Sequence, residues 1–137
     1  MGAIAEISKI LYSNIDLGSF GLPVAYEGLD FDAKGQAAYL SCFVLRAPTL
    51  QAELGPQGCD IHTGVFQIDI NYREGQGATL LLEKADEINA YFYGGRYFEN
   101  DQETVNIRNV SASRLNIAGG WSTINLTIEY QTYSKRI

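Results

Sequence analysis

The segment from Thr63 to Arg73 alternates between apolar and polar residues. Phe66, Ile68, Ile70 and Tyr72 point one way; Gln67, Asp69, Asn71 and Arg73 point the other. Only a strand with one face on a core and one face in water reads like this. Ser122 to Tyr133 repeats the pattern, with Ile124, Leu126, Ile128 and Tyr130 inward and Asn125, Thr127, Glu129 and Gln131 outward. Two such strands demand a sheet with one face covered, which is the habit of antiparallel sheets.

The cover comes from two segments of helical period. Ile4, Ile7, Ile10 and Leu11 make one face of a helix from Ala3 to Asn14, with Glu6, Lys9 and Ser13 on the other side. Asp16, Gly18, Ser19 and Gly21 end it, and Pro23 blocks its continuation. The second helix runs from Ala78 to Phe92 on the stripe Leu81, Ala85, Ile88 and Phe92, with Glu83, Asp86 and Glu87 toward water and Asn89 on the border. Gly94 and Gly95 can supply the left-handed residue that closes it.

Between the helices, Val24 to Gly28 reads as a short strand and Ala38 to Ala47 as a longer one. The longer strand is apolar on both sides, Tyr39, Phe43 and Leu45 on one and Leu40, Cys42 and Val44 on the other, which predicts a central strand covered twice. Pro48 to Asp60 breaks the pattern with two prolines and two glycines, and reads as a long loop. After the second helix, Tyr97-Phe98 begins a short strand. Thr104 to Val110 and Ala112 to Ile117 form one bent strand or two, and Ala118-Gly119-Gly120 is a turn. The expected fold is α+β, a mainly antiparallel sheet with two helices packed on one face, in a single domain spanning residues 1–137.

A chain of 137 residues is about one domain long and can bury a core without staples. Its net charge of −6 and lack of a basic cluster argue against gripping nucleic acid through phosphates. No apolar run reaches the roughly 18 residues that span a bilayer, so no membrane partner is expected. The N-terminus, Met1 to Glu6, lacks the basic start and apolar core of a signal peptide, which points to the cytoplasm. Cys42, in an apolar run, and Cys59, after Gly58, are read as thiols in that reducing compartment.

Catalytic signatures are sparse. Gly75-Gln76-Gly77 stands between a strand and a helix but lacks the third glycine and acidic ribose ligand of a dinucleotide site, so it reads as a turn. Glu27, Asp30 and Asp32 lack the ligand spacing of a calcium loop and read as a solvated turn. His62 is the only histidine, and Cys59-Asp60-Ile61-His62 holds three groups that can bind metal or move protons. Strand alternation puts Asp60 and His62 on one side. A structural zinc site wants four ligands, so an exposed, non-functional His62 is the simpler reading.

The remaining features point to association. Tyr91, Tyr93, Tyr97 and Phe98 crowd the Gly94-Gly95 turn, and Trp121 follows Gly119-Gly120; both sets suit a core or an interface. The long loop carries Leu50, Gln51, Glu53, Leu54 and Gln57, and leucines there are hard to place in a core. These five are the candidate interface residues.

The order of these landmarks resembles the bacteriophage tail terminator proteins, the group around the lambda-type tail terminator. The likeness covers nearly the whole chain. It runs from the N-terminal helix through Pro23-Val24-Ala25-Tyr26-Glu27, Tyr39-Leu40 and Leu54-Gly55 to Gly64-Val65-Phe66-Gln67-Ile68-Asp69-Ile70. Gly75-Gln76-Gly77 then leads into the helix ending at Phe92, and Trp121 precedes a last strand through Tyr130. Tyr97 to Ile117 matches only as strand-like sequence.

The resemblance implies a structural virion protein, not an enzyme, with no cofactor and no metal. Its partners would be further copies of itself in a ring, expected to be hexameric, together with the tail tube protein and the neck or connector protein. The ring would stop tube growth and offer the surface that joins the head. DNA would pass through the lumen without specific binding, which an acidic ring suits. Its place would be the tail–neck junction of the virion, after assembly in the host bacterial cytoplasm. The alternatives are another neck or tail-completion adaptor, or a small metal-binding or enzymatic domain using Cys59, Asp60 and His62.

Overall fold

The two alternating runs pair with each other. In the computed structural model, which describes residues 2–51 and 59–135, they are β4 (Cys59–Arg73) and β8 (Trp121–Lys135), antiparallel from Cys59 opposite Lys135 to Arg73 opposite Trp121. β2 (Ala38–Arg46) flanks β4 antiparallel, and β1 (Val24–Tyr26) flanks β2. On the other side β6 (Thr104–Ala112) pairs with β8 and β5 (Tyr97–Glu99) with β6. The sheet order is β1-β2-β4-β8-β6-β5, with β3 (Leu50–Gln51) on β4 and β7 (Asn116–Ala118) on β8. The fold is α+β with a mainly antiparallel, curled sheet. The β1–β2 pair alone is parallel among the described strands.

Both helices lie on one face. The buried stripe of α1 (Ala3–Leu17), Ile7, Ile10, Leu11 and Ile15, shares a core with Leu81, Ala85 and Ile88 of α2 (Ala78–Tyr91). Beneath them lie Leu40, Cys42 and Val44 of β2, Phe66, Ile68 and Ile70 of β4, and Ile124, Leu126 and Ile128 of β8. Phe92 sits at the junction, with ring centroids 6.4, 5.9, 5.0 and 5.4 Å from those of Phe20, Phe66, Tyr91 and Phe98. Of the aromatics near the glycine turn, Phe98 is core and Tyr91 packs against it, while Tyr93 and Tyr97 are exposed.

Several expectations need correction. Among the described residues the second face of β2 is covered only in part: Tyr39 and Phe43 are half-buried, Leu45 is 51% exposed, and the 27–37 connection reaches only one end of this side. There Phe31 packs on Tyr39 and Tyr39 on Trp121, at 5.0 and 4.9 Å. Arg73 pins that connection by donating to the carbonyls of Ala33, Lys34 and Gln36, and its guanidinium lies 4.0 Å over Trp121. Trp121 is therefore a half-buried clamp on the outer face, apart from the main core.

On α1, Ile4 is exposed and Glu6 is buried, the reverse of the expected faces. The Glu6 carboxylate accepts a 2.9 Å bond from the Asn100 side chain, which offsets its burial. The helix also runs to Leu17, past the expected Asn14. The first strand stops at Tyr26, where a turn closes with Leu29 N–H donating to the Tyr26 carbonyl. Gly95, at φ +97°, takes the left-handed conformation in the Tyr93–Arg96 turn beyond the helix rather than at its cap. The Thr104–Ile117 stretch is two strands, parted where Ser113 exchanges bonds with Asn125.

Phe92→Ala removes the side chain that both helices and the sheet share. We expect a loss of about 3–5 kcal/mol in urea unfolding monitored by circular dichroism.

Candidate interaction surface

The two described ends of the expected loop are strand. β2 ends at Arg46 opposite Gly64, and β3 resumes with Leu50 opposite Ile61. Four steps on one strand match three on the other, so Ala47 to Thr49 form a bulge opposite His62 and Thr63. Pro48, which has no N–H to give, sits in that bulge. The amide of Ala47 still donates to the Thr63 carbonyl at 3.0 Å. The expected loop thus contributes β3 and the first residues of β4, while Glu53, Leu54 and Gln57 lie outside the described residues.

Register places the exposed apolar residues together. Leu50 of β3, Ile61 of β4 and Tyr133 of β8 stand directly opposite one another, so their side chains share the outer face. Leu45 and Val65 form the next apolar pair on that face. Leu45, Leu50 and Tyr133 are 51%, 58% and 57% exposed. Gln51 extends the β3 ladder by pairing with Asp60. Leu50 was legible in the sequence; Val65 and Tyr133 were read as ordinary strand positions, and Ile61 only as a member of the Cys59–His62 motif. Leu45 carried a signal, an apolar residue on the face that is polar in its neighbour strands.

On the inner side of the bulge lies a cavity of about 200 Å³, lined by Ile4, Arg46, Pro48, Thr49, His62 and Tyr130 among others. Arg46 reaches Ser8 of α1 at 2.8 Å, and His62 Nδ1 lies 3.3 Å from the Thr49 hydroxyl. Gly64, two residues after His62, leaves no room for a side chain, since a Cβ there would strike the Leu45 carbonyl oxygen and the Tyr130 hydroxyl. Asp60 and His62 do share the inner face of β4, opposite Ser134 and Thr132. No three metal-ligating side chains cluster among the described residues. Neither Cys42 nor Cys59 is in a disulfide, and burial pushes the Cys42 thiol up to about 12, so it stays protonated.

The rest of the outer face is polar. Thr123 donates to the Asn71 carbonyl oxygen at 2.7 Å, and Gln67 donates to Asp69 at 2.9 Å. Burial pushes the Asp69 carboxyl up, opposed by the Gln67 amide. The acidic turn is also built in. Tyr12 donates to Glu27 at 2.7 Å and Tyr26 to Asp16 at 2.6 Å. The Tyr12 hydroxyl and then the Val44 N–H hold Glu27 below the usual carboxylate range. Burial and these carboxylates push both tyrosines well up.

The sheet is covered by helices on one face and carries exposed apolar residues on the other. The sequence profile of the phage tail terminator proteins matches residues 6–130, and the chain belongs to that family. It is thus a structural component of a phage tail. One solved structure, 22% identical, covers 93% of this chain and 91% of its own, with a TM-score of 0.72. That likeness speaks for the fold. No curated protein sequence matches the chain significantly. No helix among the described residues is long and apolar enough to cross a membrane.

Asp69 gives a prediction with a definite sign. Its folded pKa is raised, so the folded state binds more protons than the unfolded one, and stability falls as pH rises through the range between the two pKa values. Asp69→Asn keeps the acceptor for Gln67 and removes the charge. We expect a higher urea midpoint than the parent at pH 7, with the gap closing as pH falls through the carboxylate range.

Proposed function

We propose that this protein is a tail terminator: a ring, hexameric in our reading, seated on the end of the tail tube. It stops tube polymerisation and presents its far face to the neck, and DNA passes through its lumen. The family match over residues 6–130 is the observation that carries this reading. The apolar row Leu50, Ile61 and Tyr133 supports it, because a strand face left in water in a free subunit fits a contact made on assembly. Leu50, Gln51, Glu53, Leu54 and Gln57 are the proposed contact to the tube or a neighbouring subunit. A net charge of −6 per copy makes the ring acidic, and so a conduit rather than a clamp for DNA. Assembly takes place in the host cytoplasm, and the finished ring sits at the tail–neck junction of the virion.

Light scattering of purified protein over a range of concentrations, with negative-stain images of the same fractions, tests the ring. We expect closed particles of about six subunits with a central hole. Added to growing tubes, the protein should shorten them. Self-polymerisation into tubes would point instead to a tube-like protein, and tubes of unchanged length to a neck adaptor. The double variant Leu50→Asp, Leu54→Asp should keep the parent's circular dichroism spectrum and fail to cap tubes. Normal capping by that variant would remove the two leucines from the contact.

A further inference from the structure

The two sides of the sheet end differently. β1 is terminal on one side. On the other, β5 covers only Thr104 to Asn106 of β6, which leaves the second half of β6 and all of β7 without an outer strand among the described residues. Ser111 to Gly120 are exposed throughout, Leu115 and Ile117 included, at 37% and 54%. Natural sheets guard an open edge with Pro, Lys, a helix or a covering loop. Beyond the bulge at Arg108 this edge has none of these among the described residues.

Charge separates the edges. Residues 104–120 hold Arg108 and Arg114 and no carboxylate. Residues 24–37 carry Glu27, Asp30 and Asp32 against Lys34, with the Arg73 guanidinium spent on the carbonyls of Ala33, Lys34 and Gln36, and Leu29 there is 69% exposed. Geometry matches them as well. Tyr26, Cys42, Ile68, Leu126 and Ala112 form one row across five strands, so the free edges lie at one height along the strands. Contact between them in successive copies is head to tail, the kind that makes a ring when the rotation closes. Strand directions run β1 parallel to β2, β2 and β8 both antiparallel to β4, and β6 and β7 antiparallel to β8. Between copies related by rotation about the strand direction, the two edges meet antiparallel, the stronger pairing.

We propose that the basic edge Val110–Ala118 of one copy docks on β1 and the acidic turn that follows it, Val24–Asp32, of the next, joining subunits head to tail. This rests on the ring reading above and names its subunit contact. Backbone pairing gives the affinity, and the Arg and carboxylate side chains set register and reject like edges. The occupant is a second copy because both halves of the complementary pair stand on this one chain.

Charge exchange tests it. Arg114 and Asp30 are exposed, so Arg114→Glu and Asp30→Lys should melt like the parent. Each alone should raise the concentration of half-assembly about tenfold or more by light scattering. The double variant, with the pair reversed in every contact, should restore assembly, and added salt should weaken the parent. As a second readout, Leu29→Cys and Leu115→Cys together in a Cys59→Ser background should give a ladder of disulfide-linked species on oxidation. Parental rings from both single variants, or no ladder from intact rings, would overturn the edge contact alone. A parent that stays monomeric even with tube ends present would overturn the ring reading and this contact with it.

Discussion

Everything in this fold depends on the register between β4 and β8. These strands pair over their full length, Cys59 to Arg73 against Trp121 to Lys135. Each alternates, so a slip of one residue would send Phe66, Ile68 and Ile70 to water and Gln67, Asp69 and Asn71 under the helices. β2, β3, β6 and β7 all take their places from this pair. The helices touch it from one side only, and the protein is therefore two layers thick. That asymmetry leaves most of one sheet face, and parts of both edges, uncovered among the described residues.

The alternating strands and both helical stripes were legible because their periodicity is local. Phe66, Ile68, Leu81, Ile88, Ile124 and Leu126 lie where their spacing put them. What failed depended on neighbours distant in sequence. Glu6 is buried because Asn100 comes to meet it, and no periodicity in the helix records that. β2 looked doubly covered because Tyr39 and Phe43 are apolar, yet the only described cover on that side is the Phe31 connection, held by Arg73 from the far end of β4. The Pro48–Asp60 stretch read as loop because Pro and Gly mark breaks, and a bulge that re-enters the same ladder gives the same signal. The candidate contact was legible to the same extent. Leu50 stood out in a polar stretch, but its partners Ile61 and Tyr133 become a patch only through register.

The distribution of polar groups fits a subunit that must be soluble alone and sticky in place. Its outer face is mostly Asn, Gln, Ser and Thr, which leave water at lower cost than charges do. On β4 that face carries two charged residues, Arg73 at its end and Asp69 in the middle; Asp69 is half-buried beside the Gln67 amide, and its raised pKa records that cost. Its charges are placed at the rims. The carboxylates of the β1 side are partly committed to tyrosines of α1 and β1, through Tyr12 to Glu27 and Tyr26 to Asp16, which anchors that edge before any partner arrives.

The opposite edge has no such anchor. β7 is held by its ladder to Trp121, Ser122 and Thr123 and packs on nothing else that buries it. A strand fixed by one set of hydrogen bonds opens more readily than the core. Its hairpin turn, Gly119-Gly120, has φ of +60° and +84°, the left-handed pair that a two-residue turn requires, so the ribbon is shaped by its turn rather than by burial. A rigid acidic edge facing a loosely held basic one suits a contact that must form only when a second surface is present. Most of the ordering cost then falls on the basic edge, and it falls at assembly rather than at folding.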